Sequence, residues 1–455
     1  MGLLGGKMYI KRICIENIKC FGKGENAVDI DLQRPDGSYA GLTVLAGRNG
    51  SGKSTLLRAI ALAVAGLRMD RSLQKSYSGW ITSNEKESQV STELIFDIKV
   101  DSFESNTLPN KVSIKTGLKW YSAGNKTEPK ISSLIIPHGE DKTAEWMLYG
   151  PWSENPVGWF IAGYGPFRHL PAQGTGVYMA TNRPRRSDQL ASLFGEAIPL
   201  SEAISWLKEV YLRRLENRQG AQEIEEGILT LLDDGLLPGG MKVQKVDSDG
   251  LWVTLNGQVL PLTELSDGYR TVAALVVDLA RQLFETYGEF KISKNNCNIQ
   301  VPYPGVVLID EIDAHLHISW QQQIGTWLKN HFPALQFIVS THSPFICQAA
   351  DPRGLLRLPT AGEGRTVEHV SEELFKIVKN GSIDESVLTE LFGLETSHSL
   401  ASEKIQEELA KLEVLVIRGK ATPTQKKQYK ELSGQLPHTQ RQLVQQALRT
   451  LQKNT

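Results

Sequence analysis

The chain is poor in cysteine, in long apolar runs and in any excess of charge. Its four cysteines, Cys14, Cys20, Cys297 and Cys347, form no CxxC pair. Scattered single thiols fit a reducing compartment and argue against a zinc site. Cys14 alternates with Ile13 and Ile15, where a small buried hydrophobe is expected. No apolar stretch approaches the roughly 20 residues needed to span a bilayer. The opening Met-Gly-Leu-Leu-Gly-Gly-Lys is too short and glycine-rich for a signal peptide, and Gly6 stands where a myristoylation motif needs Ser or Thr. The expectation is a soluble cytoplasmic protein without a membrane partner. Net charge is −1 over 455 residues, so the overall balance neither favours nor excludes a polyanionic partner. Sustained heptads and repeats of solenoid length are also missing. The length leaves room for about two to four domain-sized units.

Against these absences stand four short segments. Gly47-Arg48-Asn49-Gly50-Ser51-Gly52-Lys53-Ser54-Thr55 meets the phosphate-loop pattern GxxxxGK[ST] at every fixed position. It follows the apolar run Leu42–Leu45 and precedes a helical pattern from Lys53 to Leu67. Backbone N–H groups of such a loop, with the positive end of the next helix, cradle phosphates. Gly50 and Gly52 let the backbone take the dihedrals of an anion nest. Lys53 is expected to reach the β- and γ-phosphates of ATP and the Ser54 hydroxyl to ligate Mg²⁺.

The second segment, Val306-Val-Leu-Ile-Asp310-Glu311, is an apolar strand ending in two carboxylates. A buried strand end places Asp310 on Mg²⁺ and lets Glu311 polarise the attacking water; helix capping would also explain acidic residues here. The third, Leu265-Ser266-Asp267-Gly268-Tyr269, opens a helical pattern, so Ser266 and the following amides would meet anions at a positive helix end. Alone it is ordinary turn chemistry; its place between the other motifs favours the functional reading. The fourth, Ser340-Thr341-His342, ends another apolar strand, and His342 there would contact the γ-phosphate. Two continuous apolar strands that end in chemistry predict a parallel sheet with its active edge at the strand C-termini.

Elsewhere, Ile13–Ile18 and Val28–Leu32 read as strands, and residues 85–165 as an antiparallel β insertion. Residues 198–235 read as helical up to the break Leu237-Pro-Gly-Gly240. Asn256-Gly257 marks a hairpin. Helices are expected over Thr271–Tyr287, Trp320–His331 and from Glu373 onward. Basic clusters at Arg183-Pro-Arg185-Arg186 and at Arg213, Arg214 and Arg218 suit nucleic-acid phosphates or, equally, a solvated face with ion pairs. From Ala401 the chain has ten Lys/Arg against five Glu and no Asp, a net +5. Leu400–Arg418 and Thr439–Leu451 look amphipathic, fitting oligomerisation, partner docking or packing on the chain's own body.

The order of these motifs resembles the ABC ATPase superfamily, and within it the RecF/SMC/OLD-like branch. Leu265-Ser-Asp-Gly-Tyr269 stands at the signature, and Asp310-Glu-Ile-Asp-Ala-His-Leu-His317 is similar to that branch's form of the acidic strand end. The resemblance implies an α/β P-loop NTPase: lobe I with its β insertion over 1–165, a helical lobe over 166–240, lobe II over 241–360 and a helical extension over 361–455. It also implies an ATP-sandwich dimer or higher homo-oligomer in which Lys53 of one subunit faces Ser266 and Gly268 of another. Glu311 is implied as general base, His342 as switch and Asp313 as a D-loop residue.

Phe160–Arg168, the 310–317 segment with Thr341-His-Ser-Pro344, and Leu388–Thr396 are more specifically similar to the ATPase subunits of Septu-type anti-phage systems and their retron-associated relatives. That implies a separate HNH-type nuclease as partner. No glutamine stands near Gly163-Tyr164-Gly165-Pro166, where the superfamily expects one. Residues 345–455 hold no Asp-x-Asp, which argues against nuclease chemistry in the same chain. A nucleotide-gated scaffold with negligible hydrolysis, and a RecF-like repair ATPase, stay open as alternatives.

Overall fold

The computed structural model describes residues 8–104, 113–122, 128–134, 143–168, 185–195, 201–237, 239–295, 298–360, 362–394, 396 and 399–435. At its centre is a six-stranded sheet in the order 368–369, 355–357, 41–46, 335–341, 305–309 and 161–164. Glu368–His369 is an antiparallel edge; the other five strands run parallel. The phosphate-loop strand Gly41–Ala46 lies beside Leu335–Thr341, which lies beside Gly305–Ile309. Thr341 pairs with Ala46, and Ile309 with Val339 and Tyr164. The phosphate loop, Asp310 and His342 therefore leave the sheet on one edge.

The inner strands of this sheet are largely apolar because both faces are covered. Leu42, Val44, Ala46, Val307, Ile309, Phe337 and Val339 join one core; Leu45, Val306, Leu308 and Ile338 join the other. The second core holds the helix Lys53–Ala65 against a five-stranded antiparallel sheet ordered 28–31, 9–16, 87–95, 113–121 and 130–133. The β insertion expected over 85–165 is antiparallel only over its strands between 87 and 133, which share their sheet with the two N-terminal strands; Thr143–Tyr149 is a helix, and Ile161–Tyr164 runs parallel at the edge of the central sheet. The first core is built from the helices Ser201–Leu215, Ala221–Asp233, Asp267–Tyr287 and Ile318–His331 and from the hairpin Gly250–Leu255 and Gln258–Pro261. Asn256 and Gly257 turn that hairpin at φ of 51° and 80°.

The helical stretch expected over 198–235 is two helices. Asn217, at φ 53°, and Gly220, at φ 79°, interrupt it with the left-handed geometry that a helix interior excludes. Leu394–Thr455 forms a second unit, in which Leu400–Ile417 and Pro423–Ser433 pack on one another. Thr422 and Gln425 close a capping box before the second of these helices. The amphipathic segment Thr439–Leu451 lies outside the described residues. Among the described residues no helix is long and apolar enough to cross a membrane.

Candidate nucleotide site

The phosphate loop turns between its strand and helix on two left-handed glycines, Gly50 at φ 79° and Gly52 at φ 91°. A Cβ on Gly47 would stand 2.6 Å from the Leu358 carbonyl oxygen, and one on Gly52 2.5 Å from Cys20 Sγ. The loop is packed as well as bent. Lys53 is buried, and its ammonium donates to the carbonyl oxygens of Gly47 (2.8 Å) and Arg48 (3.1 Å). Desolvation holds its pKa below that of a free lysine, opposed by the nearby charges of Asp310, Glu311 and Asp313. Arg48 donates to the Gly393 carbonyl (2.6 Å), Asn49 is exposed, and Ser51 Oγ is buried without a partner. Ser54 and Thr55 lie in the first turn of the helix.

Asp310 is 1% exposed. Ser340 Oγ donates to its Oδ1 at 2.5 Å, whereas its Oδ2 is buried with no hydrogen-bond partner. A buried carboxylate oxygen left bare is costly unless a cation or donor meets it. This orphaned atom, on the same sheet edge as the phosphate loop and Ser54, is a donor set that suits hard, oxygen-seeking Mg²⁺. Glu311 sits next in line at φ 48°, its N–H donating to Ser340 Oγ at 2.7 Å. Thr341 Oγ1 donates to Asp313 Oδ1 at 2.5 Å, so the ends of the two strands are also tied. The His342 side chain is exposed, yet its pKa lies below the ordinary histidine value. Partial desolvation is the main cause and the Lys53 charge the next.

The signature residues open the helix Asp267–Tyr287. Ser266 is the exposed N-cap of Asp267–Tyr287, and its hydroxyl makes no capping hydrogen bond. A Cβ on Gly268 would meet the His315 carbonyl oxygen at 2.7 Å, so the signature turn packs against the segment after Asp313. Among the described residues no hydrogen bond joins Ser266 or Gly268 to the phosphate loop.

Ser340, from the fourth segment, and Arg168, at the end of the Phe160–Arg168 stretch, border the site through contacts the sequence does not announce. Ser340 touches both acidic residues, as above. Arg168, 2% exposed, donates to the carbonyl oxygens of Gly165 (2.9 Å), Asp310 (2.7 Å) and Glu311 (2.8 Å). Its sequence signals are its place at the end of the Phe160–Arg168 stretch and a charge soon after an apolar strand, and neither points to Asp310 or Glu311.

The basic clusters fare differently from a nucleic-acid surface. Arg186 is fully buried and donates to the Pro151 carbonyl, so the apolar packing of its helix removes it from any phosphate-facing patch. Residues 181–184 lie outside the described residues. Arg213, Arg214 and Arg218 pair with Glu209, Glu225 and Glu216, which is the ion-paired face.

A family described as an AAA domain matches residues 12–234, and one described as "AAA domain, putative AbiEii toxin, Type IV TA system" matches 199–348. Septu protein PtuA of Bacillus mycoides is 27% identical over 344 residues, covering 74% of this chain and 39% of that protein. Retron Ec83 probable ATPase of Escherichia coli is 36% identical over 37% of this chain and 32% of that one. The chain thus spans only about a third to two-fifths of these two relatives. Retron Vc95 probable ATPase of Vibrio cholerae is 25% identical over 86% of this chain and 81% of that one. The Smc head domain with an extended coiled coil from Pyrococcus furiosus superposes at a TM-score of 0.48 with 17% identity, over 82% of this chain and 99% of that one. The sheet order, the motifs along its edge and the two AAA-domain matches identify an α/β P-loop NTPase fold in a chain similar to the Septu protein and the retron-associated probable ATPases.

Proposed function

We propose that this chain is an ATPase that dimerises around ATP and uses the cycle to control a separate nuclease in anti-phage defence. The observation that carries the reading is the bare, buried Oδ2 of Asp310 on the sheet edge that also bears Lys53 and Glu311. Lys53 turns from its own loop carbonyls to the phosphates, which offer charge where the carbonyls offer only dipoles. The Gly47–Thr55 amides, those of Arg48, Asn49 and Ser51 included, hold the remaining phosphate oxygens. Ser54 and Asp310 are the Mg²⁺ ligands; when bound, the ion neutralises charge building on the transferred phosphoryl group. Glu311 orients the attacking water and takes its proton, and His342 reports the γ-phosphate.

The uncapped Ser266, with Gly268 behind it, points the positive end of a 21-residue helix outward, ready for the phosphates held by a second copy. Asp313, tied to Thr341, links that junction to the His342 strand. Similarity to the Septu protein and the retron ATPases supports the defence setting, and an HNH-type nuclease is the partner proposed. The cytoplasm, where ATP and Mg²⁺ are abundant, is the proposed compartment. ATP hydrolysis by the wild type and by Glu311→Gln, with mass from light scattering in each nucleotide state, tests the core of this reading. Loss of turnover in the variant, together with an ATP-stabilised doubled mass, is the expected result. Tight binding without turnover in either protein would leave a ligand-gated scaffold.

A further inference from the structure

Glu311 occupies a backbone conformation that glutamate does not favour. Its φ of 48° lies in the left-handed region, where Cβ crowds the carbonyl oxygen. Such a residue persists only if its surroundings over-determine it. Here both flanking peptides are gripped. The Glu311 N–H is held by Ser340 Oγ at 2.7 Å, and the Glu311 carbonyl by Arg168 Nη2 at 2.8 Å. Arg168 Nη1 also takes the Asp310 carbonyl at 2.7 Å and the Gly165 carbonyl at 2.9 Å. One planar guanidinium therefore spans three backbone oxygens from two neighbouring strand ends, a geometry an ammonium cannot reproduce.

We propose that Arg168 is a positioning residue for hydrolysis, whose guanidinium fixes the left-handed Glu311 so that its carboxylate faces the attacking water. This rests on the proposed role of Glu311 as general base. Burial lowers the Arg168 pKa to about 10, which leaves the side chain cationic at neutral pH beside Asp310, Asp313 and Glu311. Its charge thus also offsets the mutual repulsion of those carboxylates. Without the clamp, the 310–311 turn relaxes toward ordinary dihedrals and the carboxylate swings off line, while the phosphate loop on the far side of the Leu335–Thr341 strand is untouched.

The test compares the full-length wild type, Glu311→Gln, Arg168→Ala and Arg168→Lys in kcat, KM and the Kd of a fluorescent ATP analogue. Amide exchange of the 310–317 segment is followed in nucleotide-free protein. Arg168→Ala is expected to lose about 100-fold in kcat, the scale of a displaced general base, with the analogue's Kd held and 310–317 exchanging faster. Guanidinium ion at non-denaturing concentration should restore part of the rate, and Arg168→Lys should stay slow. Arg168→Ala turning over within about threefold of wild type would overturn the proposal, as would Kd and kcat failing together. If Arg168→Ala does not fold, a folded Arg168→Lys with wild-type kcat overturns it equally. No turnover in the wild type, by contrast, removes the hydrolytic reading itself. A wild type that turns over as fast as Glu311→Gln removes only the general base on which this inference stands.

Discussion

Ser340 Oγ donates to Asp310 Oδ1 at 2.5 Å and receives the N–H of Glu311 at 2.7 Å, so one hydroxyl from the adjacent strand sets both acidic residues. Its removal leaves a buried carboxylate short of a donor and an amide short of its acceptor. Ser340→Ala should therefore lose about 1–3 kcal/mol of stability, the cost of buried groups left unsatisfied. Mg²⁺-dependent nucleotide affinity should weaken as Asp310 loses its fixed rotamer. Urea unfolding checks the first effect and analogue titration with and without Mg²⁺ the second. A Ser340→Ala protein with wild-type midpoint and Mg²⁺ dependence would mean that the hydroxyl is incidental.

The two left-handed glycines of the phosphate loop make a paired prediction. A Cβ on Gly50, at φ 79°, would have nothing within 4 Å, whereas one on Gly52, at φ 91°, would meet Cys20 Sγ at 2.5 Å and Phe21 Cζ at 2.8 Å. Gly50→Ala should cost only the left-handed strain, about 1–2 kcal/mol. Gly52→Ala adds a clash with a packed ring and should be worse by about 1–3 kcal/mol, as overpacking generally is. Thermal melts of the two variants give the ranking directly; equal losses would show that the Phe21 side yields freely.

The site was legible where its chemistry is local. Gly47–Thr55, Asp310-Glu311 and the hairpin at Asn256-Gly257 each declare themselves within a few residues, because a loop dihedral or a strand end needs particular residue types at fixed offsets. The contacts that hold those groups in place are not legible. Arg168 reaches Asp310 across 142 positions and Ser340 reaches Glu311 across 29, and no periodicity encodes such pairs. Arg186 shows the converse failure. Its neighbours Arg183 and Arg185 suggest a basic patch, but the helix periodicity that buries Leu190 and Leu193 buries Arg186 as well. The extra antiparallel partnership of the N-terminal strands with the β insertion also depends on pairings 73 to 86 positions apart, from Glu16–Gln89 to Tyr9–Ile95, beyond any turn signal.

Tyr164 links the acidic strand to the signature helix, and its hydroxyl makes a specific prediction. Its carbonyl accepts the Asp310 N–H at 2.8 Å, while its hydroxyl donates to Asp278 Oδ2 at 3.0 Å inside the helix Asp267–Tyr287. Asp278 is further held by Gln282 (2.5 Å) and Arg281 (2.7 Å), so its carboxylate is buried and met by donors on both oxygens. Desolvation, then the Asp278 charge, raises the tyrosine pKa well above its ordinary value, so the hydroxyl stays a donor across the working range. Tyr164→Phe should cost about 1–3 kcal/mol, since a donor to a buried charge is lost. Combined with Asp278→Asn it should cost less than the two single losses added, as contacting residues do. Strict additivity in urea unfolding would show that the two side chains act independently.

Asp101 predicts a pH dependence of stability of known sign. It is wholly buried, accepts the N–H of Trp159 at 2.8 Å and of Asp97 at 3.0 Å, and desolvation raises its pKa from 3.8 to about 6. Between those values the folded chain binds a proton that the unfolded chain releases. Its contribution to stability is therefore fully present below about pH 4 and lost as pH rises through about 6. A shift of this size corresponds to about 3 kcal/mol across the window. Asp101→Asn removes the titration and keeps an acceptor for Trp159, so the wild type should gain on the variant as pH falls from 7.5 to 4.5. Urea unfolding at both pH values measures the difference. A gap between the two proteins that stays constant with pH would show that Asp101 titrates in the fold as it does in the unfolded chain.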